Sequence, residues 1–324
     1  MSHKFELPSR LAEVPFSRHT ALASGVPRSR LGARDLEAPF HAVRTATAPG
    51  DIFWLCLAYS QRMRARDSFS HVTAALLLGA ALPAYLDVAR LHVSSPFGTR
   101  APTGRGIVGH QLWALSTPPI ELIHQDHVRG ELFALPVVPP LTMFAQLAPL
   151  VDRRDLVAVG DYLVTGTAPI LPTGEMAALR ELSGGWRGRA SALAAVDDIR
   201  VGSRSRAETL LRLQLMQAGL PEPELNAPVL DDHGNEIATP DLRWARYRTL
   251  VEYEGDLHRV SKGKFRSDIT RFERYADADW SALRAHGDDV FGDPNPFIAR
   301  LARRLRVRGW SSPIHVSHVQ GARR

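Results

Sequence analysis

At 324 residues, with 44% hydrophobic and 23% charged content, the chain has the make-up of ordinary globular material and the length for about two domains. Its 40 Lys and Arg against 34 Asp and Glu leave a net charge of +6, carried mainly by arginine, so either DNA is a partner or the charge serves solubility. Cys56 is the single cysteine, which excludes an intrachain disulfide and a cysteine-built zinc site and fits a reducing cytoplasm.

The first ten residues carry charges with no apolar run behind them, which does not make a secretory signal. Residues 16–48 predict two short helices about a turn: Thr20-Ala-Leu-Ala-Ser-Gly25-Val-Pro, then Ser29-Arg-Leu-Gly-Ala-Arg-Asp-Leu36, with Gly25 and Pro27 supplying the break. These dimensions suit a helix-turn-helix or a plain helical hairpin, and in the first case Arg28, Arg30 and Arg34 are the DNA-contacting residues. Residues 49–183 predict a mixed α/β block, with helices at 52–60, 71–79 and 141–150, an apolar stretch at 156–163 and strand-like runs at 91–93 and 132–138. Neither apolar stretch here spans a membrane: residues 72–86 are interrupted by Pro83 and fall short of the ~20 apolar residues required. Residues 132–151 are broken by Pro136, Pro139, Pro140 and Pro149. His71, His92, His110, His124 and His127 are scattered, with none at the i, i+4 spacing of helical metal ligands, and are expected to be packing or surface residues.

Residues 184–324 carry the chemistry. An amphipathic helix over 205–219 presents Leu210, Leu211, Leu213 and Leu215 and is stopped by Gly219 and Pro221. Strands at 225–230 and 236–244 flank the turn Asp231-Asp-His-Gly-Asn235, and a third at 247–254 ends at Gly255. Phe265, Ile269, Phe272 and Ala276 then mark a helix whose other face carries Arg266, Arg271 and Arg274.

Asp241 follows Pro240 near the end of the second strand, and Glu252 and Glu254 lie two apart on the third, hence on one face. If those strands pair, three carboxylates converge, and a hard divalent cation such as Mg2+ or Mn2+ removes their repulsion. The alternative is an exposed strand face beside a Pro-Asp turn. Ser205-Arg-Ala-Glu208 reads as a capping box, which by itself explains Glu208.

Several motifs run in the order seen in a family of actinobacterial proteins: Ser203-Arg-Ser-Arg-Ala-Glu208-Thr, Ala218-Gly-Leu-Pro-Glu-Pro223, Asn226, Pro240-Asp-Leu242, Val251-Glu-Tyr-Glu-Gly-Asp-Leu-His258, and Arg266-Ser-Asp268 with Arg271. Over residues 203–308 the chain therefore resembles PD-(D/E)xK nucleases, and the very-short-patch mismatch-repair endonuclease among them. The resemblance implies that Asp241 and Glu252 are metal-binding carboxylates, joined by Glu254, with Glu208 as an accessory acid and His258 as the histidine that follows the acidic-Gly pair. It further implies that Lys262, Lys264, Arg266 and Arg271 contact DNA. Three departures stand out. Glu254 takes the place of an Asp, the usual lysine after the second acid is absent, and Asp277-Ala-Asp279-Trp280 stands where Ala-Gly-Trp is expected, before a poor strand at 281–284.

The first half carries its own resemblance, through Ala21-Leu-Ala-Ser-Gly25-Val, Asp35-Leu36 with Pro39-Phe40, Phe69-Ser-His-Val-Thr-Ala-Ala75, Leu91-His-Val93, Gly104-Arg-Gly106 with Gly109-His110, and Asp155-Leu with Gly160-Asp161. These look like the AbiEi-type antitoxin and transcriptional-regulator layout, which implies a winged helix with its wing around His41 to Arg44, followed by a mixed α/β domain. The expected protein is thus α/β (α+β) in three parts: a helix-turn-helix-like unit at 1–48, an AbiEi-like domain at 49–183, and a restriction-endonuclease-like mixed sheet flanked by helices at 184–324. Its expected function is cytoplasmic, Mg2+- or Mn2+-dependent DNA hydrolysis. Two rivals remain open: a non-catalytic DNA-binding regulator or antitoxin with a cognate toxin, and a protein-interaction module whose charge is incidental.

Overall fold

The computed structural model describes residues 5–112, 118–126, 130–182, 184–231, 233–255, 262–316 and 319–323, and of residues 262–268 the backbone alone. The fold is α+β, and the chain divides into two compact units, residues 1–80 with 87–147 and residues 81–86 with 148–324.

The first unit opens with α1 (Ser9–Glu13), β1 (Phe16–Ser17), α2 (Arg18–Ala23) and β2 (Val43–Arg44). Ser17 Oγ caps α2 by accepting the Thr20 N–H at 3.0 Å, and Gly25, at φ 80°, turns the chain out of it. The second helix expected here is only a 3-10 turn over Arg28–Gly32. Pro27 fixes an extended approach, and the Arg30 side chain is pulled inward, where it donates to both Asp35 oxygens (2.9 and 2.8 Å) and to the Phe5 carbonyl (2.8 Å). Leu11, Phe16, Ala21, Val26 and Leu31 make a small core of their own, and β1 pairs antiparallel with β2 close to the expected wing.

Next come α3 (Ile52–Ser60), β3 (Ser68–Phe69), α4 (His71–Leu77), β4 (Leu91–Ser95), β5 (Ile107–Gln111), β6 (Ile120–Asp126), β7 (Glu131–Val137) and α5 (Pro140–Leu147). Their sheet has the order β5-β4-β3-β7-β6, with β3–β4 and β6–β7 antiparallel and the other pairs parallel. β3 reaches β7 only at Val137, so Pro136 withholds no donor from that ladder. Sequence patterning missed β5 and β6 because β5 is five residues long with a glycine at its centre and β6 is an edge strand with mostly exposed side chains.

The second unit runs α6 (Arg153–Val164), α7 (Thr173–Ala177), α8 (Arg189–Asp198), α9 (Arg206–Gln217), β8 (Glu224–Leu225), β9 (Val229–Leu230), β10 (Glu236–Ala238), β11 (Leu242–Trp244), β12 (Thr249–Glu254), α10 (Lys262–Asp277), β13 (Ser281–His286), α11 (Gly287–Phe291) and α12 (Asn295–Val307). Each of the two long strands expected upstream of β12 is broken in two, at Asn226 (φ 45°) and at Pro240. β9 and β10 form a separate hairpin, while β13-β12-β11-β8 make one sheet in which β11 is antiparallel to its neighbours. β13 runs parallel to β12, with α10 in the crossover between them. Leu242 and Val251 face α9 and α12 through Leu210, Leu211, Ile298 and Leu301, and the other face buries Leu250 against Tyr275 of α10.

Residues 281–284, a poor strand by composition, pair with β12 in unbroken register from Ser281 to His286, and Leu283 and Ala285 supply its buried side. Asp279, at the position where the nuclease pattern has glycine, adopts φ 57°, a left-handed conformation, while both its oxygens accept from the Arg308 guanidinium at 3.1 and 3.0 Å.

The second compact unit takes in residues 148–183 together with the C-terminal part, and a buried ion pair ties α6 to α9 within it. Asp161 of α6 accepts from Arg212 of α9 at 2.9 Å, and the two side chains are 1% and 0% exposed. The same carboxylate accepts from the Thr209 hydroxyl (2.8 Å) and the Arg200 N–H (2.7 Å), and Arg212 also donates to the Asp198 carbonyl (2.9 Å). Burial raises the Asp161 carboxyl above its ordinary range against the pull of Arg212 and these donors. Among the described residues, no helix is long and apolar enough to cross a membrane.

Removing one partner of such a pair leaves a buried charge without compensation. Arg212→Met is therefore expected to lower the unfolding free energy by about 3–5 kcal/mol, and Asp161→Asn in the same chain to restore part of it. Urea denaturation of the two variants and the wild type measures both steps; equal stability of Arg212→Met and wild type would contradict the assignment.

Candidate functional site

The site begins at the N-terminus of α9. Ser205 Oγ accepts the Glu208 N–H at 3.2 Å, which is half of the expected capping box. The other half is not made, because the Glu208 carboxylate turns away to accept from the Arg204 N–H and from Asn226 Nδ2, both at 2.9 Å. Glu208 is 7% exposed, so its charge is held inside the fold by named donors. Asn226 is the hub: Nδ2 also donates to the Gly202 carbonyl at 2.8 Å, and its backbone N–H donates to the Asp241 carbonyl at 3.0 Å.

Asp241 immediately precedes β11, and the pairing of Leu242 with Val251 puts it across from Glu252 on β12. Asp241 Oδ2 accepts the Tyr253 N–H at 2.6 Å. Glu252 accepts from the Tyr275 hydroxyl at 3.0 Å and from Arg271 Nη2 at 2.8 Å, both from α10. The Asp241 carboxyl is pushed up to about 6, first by burial and next by the Glu208 charge, with Glu252 adding to it and the Tyr253 N–H opposing. Burial, and then the Glu252 charge, likewise raise the Tyr275 hydroxyl.

Glu254 shares a strand face with Glu252, yet its carboxylate accepts from Arg284 at 3.0 Å, with His286 Nδ1 at 3.7 Å, both on β13. The fold thus brings Asp241, Glu252 and Glu208 into one electrostatic group and directs Glu254 to the neighbouring strand. His258 lies outside the described residues, as do the side chains of Lys262, Lys264 and Arg266. Arg271 is committed to Glu252. Of the N-terminal arginines, Arg28 and Arg34 are exposed, whereas Arg30 is buried in its pair with Asp35 and is withdrawn from any phosphate.

Sequence reasoning missed a second cluster. His71, His92 and His110, expected to be scattered, converge in the first unit, with one ligand atom from each lying within 4.8 Å of the others. Their spacing was illegible because the strand carrying His110 was not recognised. Once β4 and β5 are known to pair in parallel, with Ser94 opposite His110 and His92 two residues before Ser94, the two imidazoles fall on one sheet face.

No family model matches the chain. Two proteins from strains of Mycobacterium tuberculosis, both described as uncharacterized, are each 32% identical to it over 103 residues. That stretch is 32% of this chain, which spans only 38% of the length of each relative.

The raised Asp241 carboxyl carries a stability consequence. The folded chain holds this proton up to about pH 6, whereas the unfolded carboxyl loses it near 3.8, so this group's contribution to stability is greatest below about pH 4 and declines as pH rises through 6. By pH 7 the ionised group costs on the order of 3 kcal/mol. In the absence of divalent cations, Asp241→Asn is expected to match the wild type near pH 4 and to exceed it at pH 7 by up to about that amount. Urea titrations at the two pH values test this, and a variant less stable than wild type at pH 7 would show the carboxylate to be a stabilising group instead.

Proposed function

We propose that the second unit is a divalent-cation-dependent DNA phosphodiester hydrolase of the PD-(D/E)xK kind, with Asp241 and Glu252 as the cation ligands. The observation that carries this reading is the placement of Asp241 directly across from Glu252 on the paired strands β11 and β12, with Glu208 near enough that its charge, after burial, raises the Asp241 carboxyl. An acid placed by its own backbone against two like charges fits a position built for a cation. The donor set suits Mg2+ or Mn2+, since it offers carboxylate oxygens and no sulfur. When bound, such a cation supplies charge stabilisation at a scissile phosphate and activation of water.

The chain's own residues supply position. Asn226 links Glu208 to the Asp241 backbone, so α9 and β11 carry their acids as one piece. Arg271 and Tyr275 fix the Glu252 carboxylate and still leave its oxygens further acceptor capacity. The sheet of β13-β12-β11-β8, with helices on both faces and a helical crossover into a parallel strand, supports the restriction-endonuclease-like reading of the fold.

One observation favours a second reading, a non-catalytic DNA-binding regulator or antitoxin with a cognate toxin. Glu252 and Glu254 are each paired with an arginine, Arg271 and Arg284, as they would be if the acids had become structural. The two readings part on cleavage. The hydrolase is expected to cut DNA with Mg2+ or Mn2+ and to lose at least about 100-fold in rate on Asp241→Asn. DNA binding without cation-dependent cleavage would instead establish the regulator.

Either reading requires phosphate contacts, whose affinity falls with salt as counterions are released. Replacing exposed Arg28 and Arg34 together by Ala is expected to weaken binding across sequences and to lower the slope of log affinity against log salt by up to about 2, whereas Arg30→Ala is expected to act through stability. Salt titrations by fluorescence anisotropy distinguish these, and unchanged binding by the double variant would remove the N-terminal unit from the interface.

A further inference from the structure

We infer that His71, His92 and His110 form a binding site in the first unit for a first-row transition cation of the zinc class. This site is separate from the proposed carboxylate site and does not rest on the nuclease reading. His92 Nδ1 and His110 Nε2 lie 3.1 Å apart. Two imidazole nitrogens on one tetrahedral zinc, each at about 2.0–2.1 Å, stand about 3.3–3.4 Å from each other. The pair therefore holds nearly the spacing a shared cation imposes. The third ring, His71, is stacked on His110 with centroids 3.7 Å apart and planes inclined by 19°, and all three ligand atoms fall within 4.8 Å of one another. A cation must lie near the plane of each ring it binds, so loading opens this stack by tilting the rings.

The surroundings orient the ligands as outer-shell partners do around bound metals. Ser70 Oγ lies 3.0 Å from His71 Nδ1 and accepts from Ser94 Oγ at 2.7 Å. In the tautomer in which Nδ1–H donates to Ser70, the His71 Nε2 lone pair remains for a cation. The backbone is held as firmly: the His71 N–H donates to Gln146 Oε1 of α5 at 3.1 Å, and the His92 N–H donates to Thr73 Oγ1 of α4 at 2.8 Å. His71 has φ 49°, a left-handed conformation that is uncommon for a residue with a side chain and that recurs where geometry serves a site. Gly109, next to His110, allows a close backbone approach, since a Cβ there would lie 1.8 Å from the Pro102 carbonyl oxygen.

Burial lowers all three imidazoles below their ordinary value, which favours the uncharged form that ligates. Three neutral nitrogens with no thiolate select zinc, cobalt or nickel over magnesium or calcium. Three protein ligands also leave the fourth tetrahedral position open to water or a small anion, the coordination found in catalytic zinc sites.

The test uses the full chain freed of any affinity tag, titrated with Co2+ and Zn2+ alone. The expected result is one cation bound with the visible bands of tetrahedral Co2+, an affinity lowered at least about 100-fold by His110→Gln, and no change on Asp241→Asn. In Asp241→Asn, which disables the proposed carboxylate site, a thermal midpoint raised by Zn2+ and not by Mg2+ reports the same event. Should His110→Gln fail to fold, wild-type cobalt bands that persist in Asp241→Asn decide for the histidines. Absence of binding, binding that survives His110→Gln, or binding that Asp241→Asn abolishes would each overturn the inference.

Discussion

The buried pair between Asp161 and Arg212 is the constraint from which the second unit is organised. With both side chains removed from water, neither charge is tolerable alone, so α6 must stay in register with α9 wherever the rest of the domain goes. Arg212 lies one helical turn beyond Glu208 on α9, so the pair also fixes where the Glu208 carboxylate is presented. Thr209, between them, donates its hydroxyl to Asp161 and makes that turn a continuous polar seam. Asn226 carries the constraint onward, because one of its amide hydrogens meets Glu208 while its backbone N–H meets the Asp241 carbonyl. The path from the ion pair to the acid before β11 thus runs by hydrogen bond from Asp161 to Thr209, along the α9 backbone to Glu208, and by hydrogen bonds through Asn226 to Asp241, so its bonded steps join groups close in space and distant in sequence.

That separation explains what the sequence made legible. Period-two alternation placed Glu252 and Glu254 on one face of β12, and that is where they lie, but it says nothing about the neighbouring strand. Arg284 and His286 on β13 draw Glu254 aside, and a strand composed of Ser-Ala-Leu-Arg gave little hint of its own existence. The capping-box spacing located the start of α9 correctly and misassigned the Glu208 side chain, since a local pattern cannot register Asn226 arriving from 18 residues downstream. The second helix around Arg30 failed for a related reason: Asp35 and the Phe5 carbonyl offered its guanidinium a better-satisfied environment than solvent did.

The histidines mark the limit more sharply. Spacing rules for metal ligands rest on helices, where i and i+4 share a face, or on short loops. Here His71 comes from the start of a helix and His92 and His110 from two adjacent parallel strands, so their proximity is a property of strand register alone. β5 is five residues long and has Gly109 at its centre, and without recognising it no arithmetic on the sequence brings His110 beside His92.

The two clusters differ in the chemistry of their donors, and that difference separates what each can hold. Asp241, Glu252 and Glu208 offer hard oxygens and accumulate negative charge, which adds to burial in raising the Asp241 carboxyl and favours a strongly charged, oxygen-seeking cation. His71, His92 and His110 offer borderline nitrogens with no net charge, so a cation there gains by directed bonding rather than by neutralisation. Magnesium has little to gain from three imidazoles, whereas a borderline cation such as zinc gains most there, which makes the imidazole cluster the more selective of the two. A chain carrying both sets is therefore expected to sort cations by ligand type, and a zinc response at one site leaves the oxygen site free to answer magnesium.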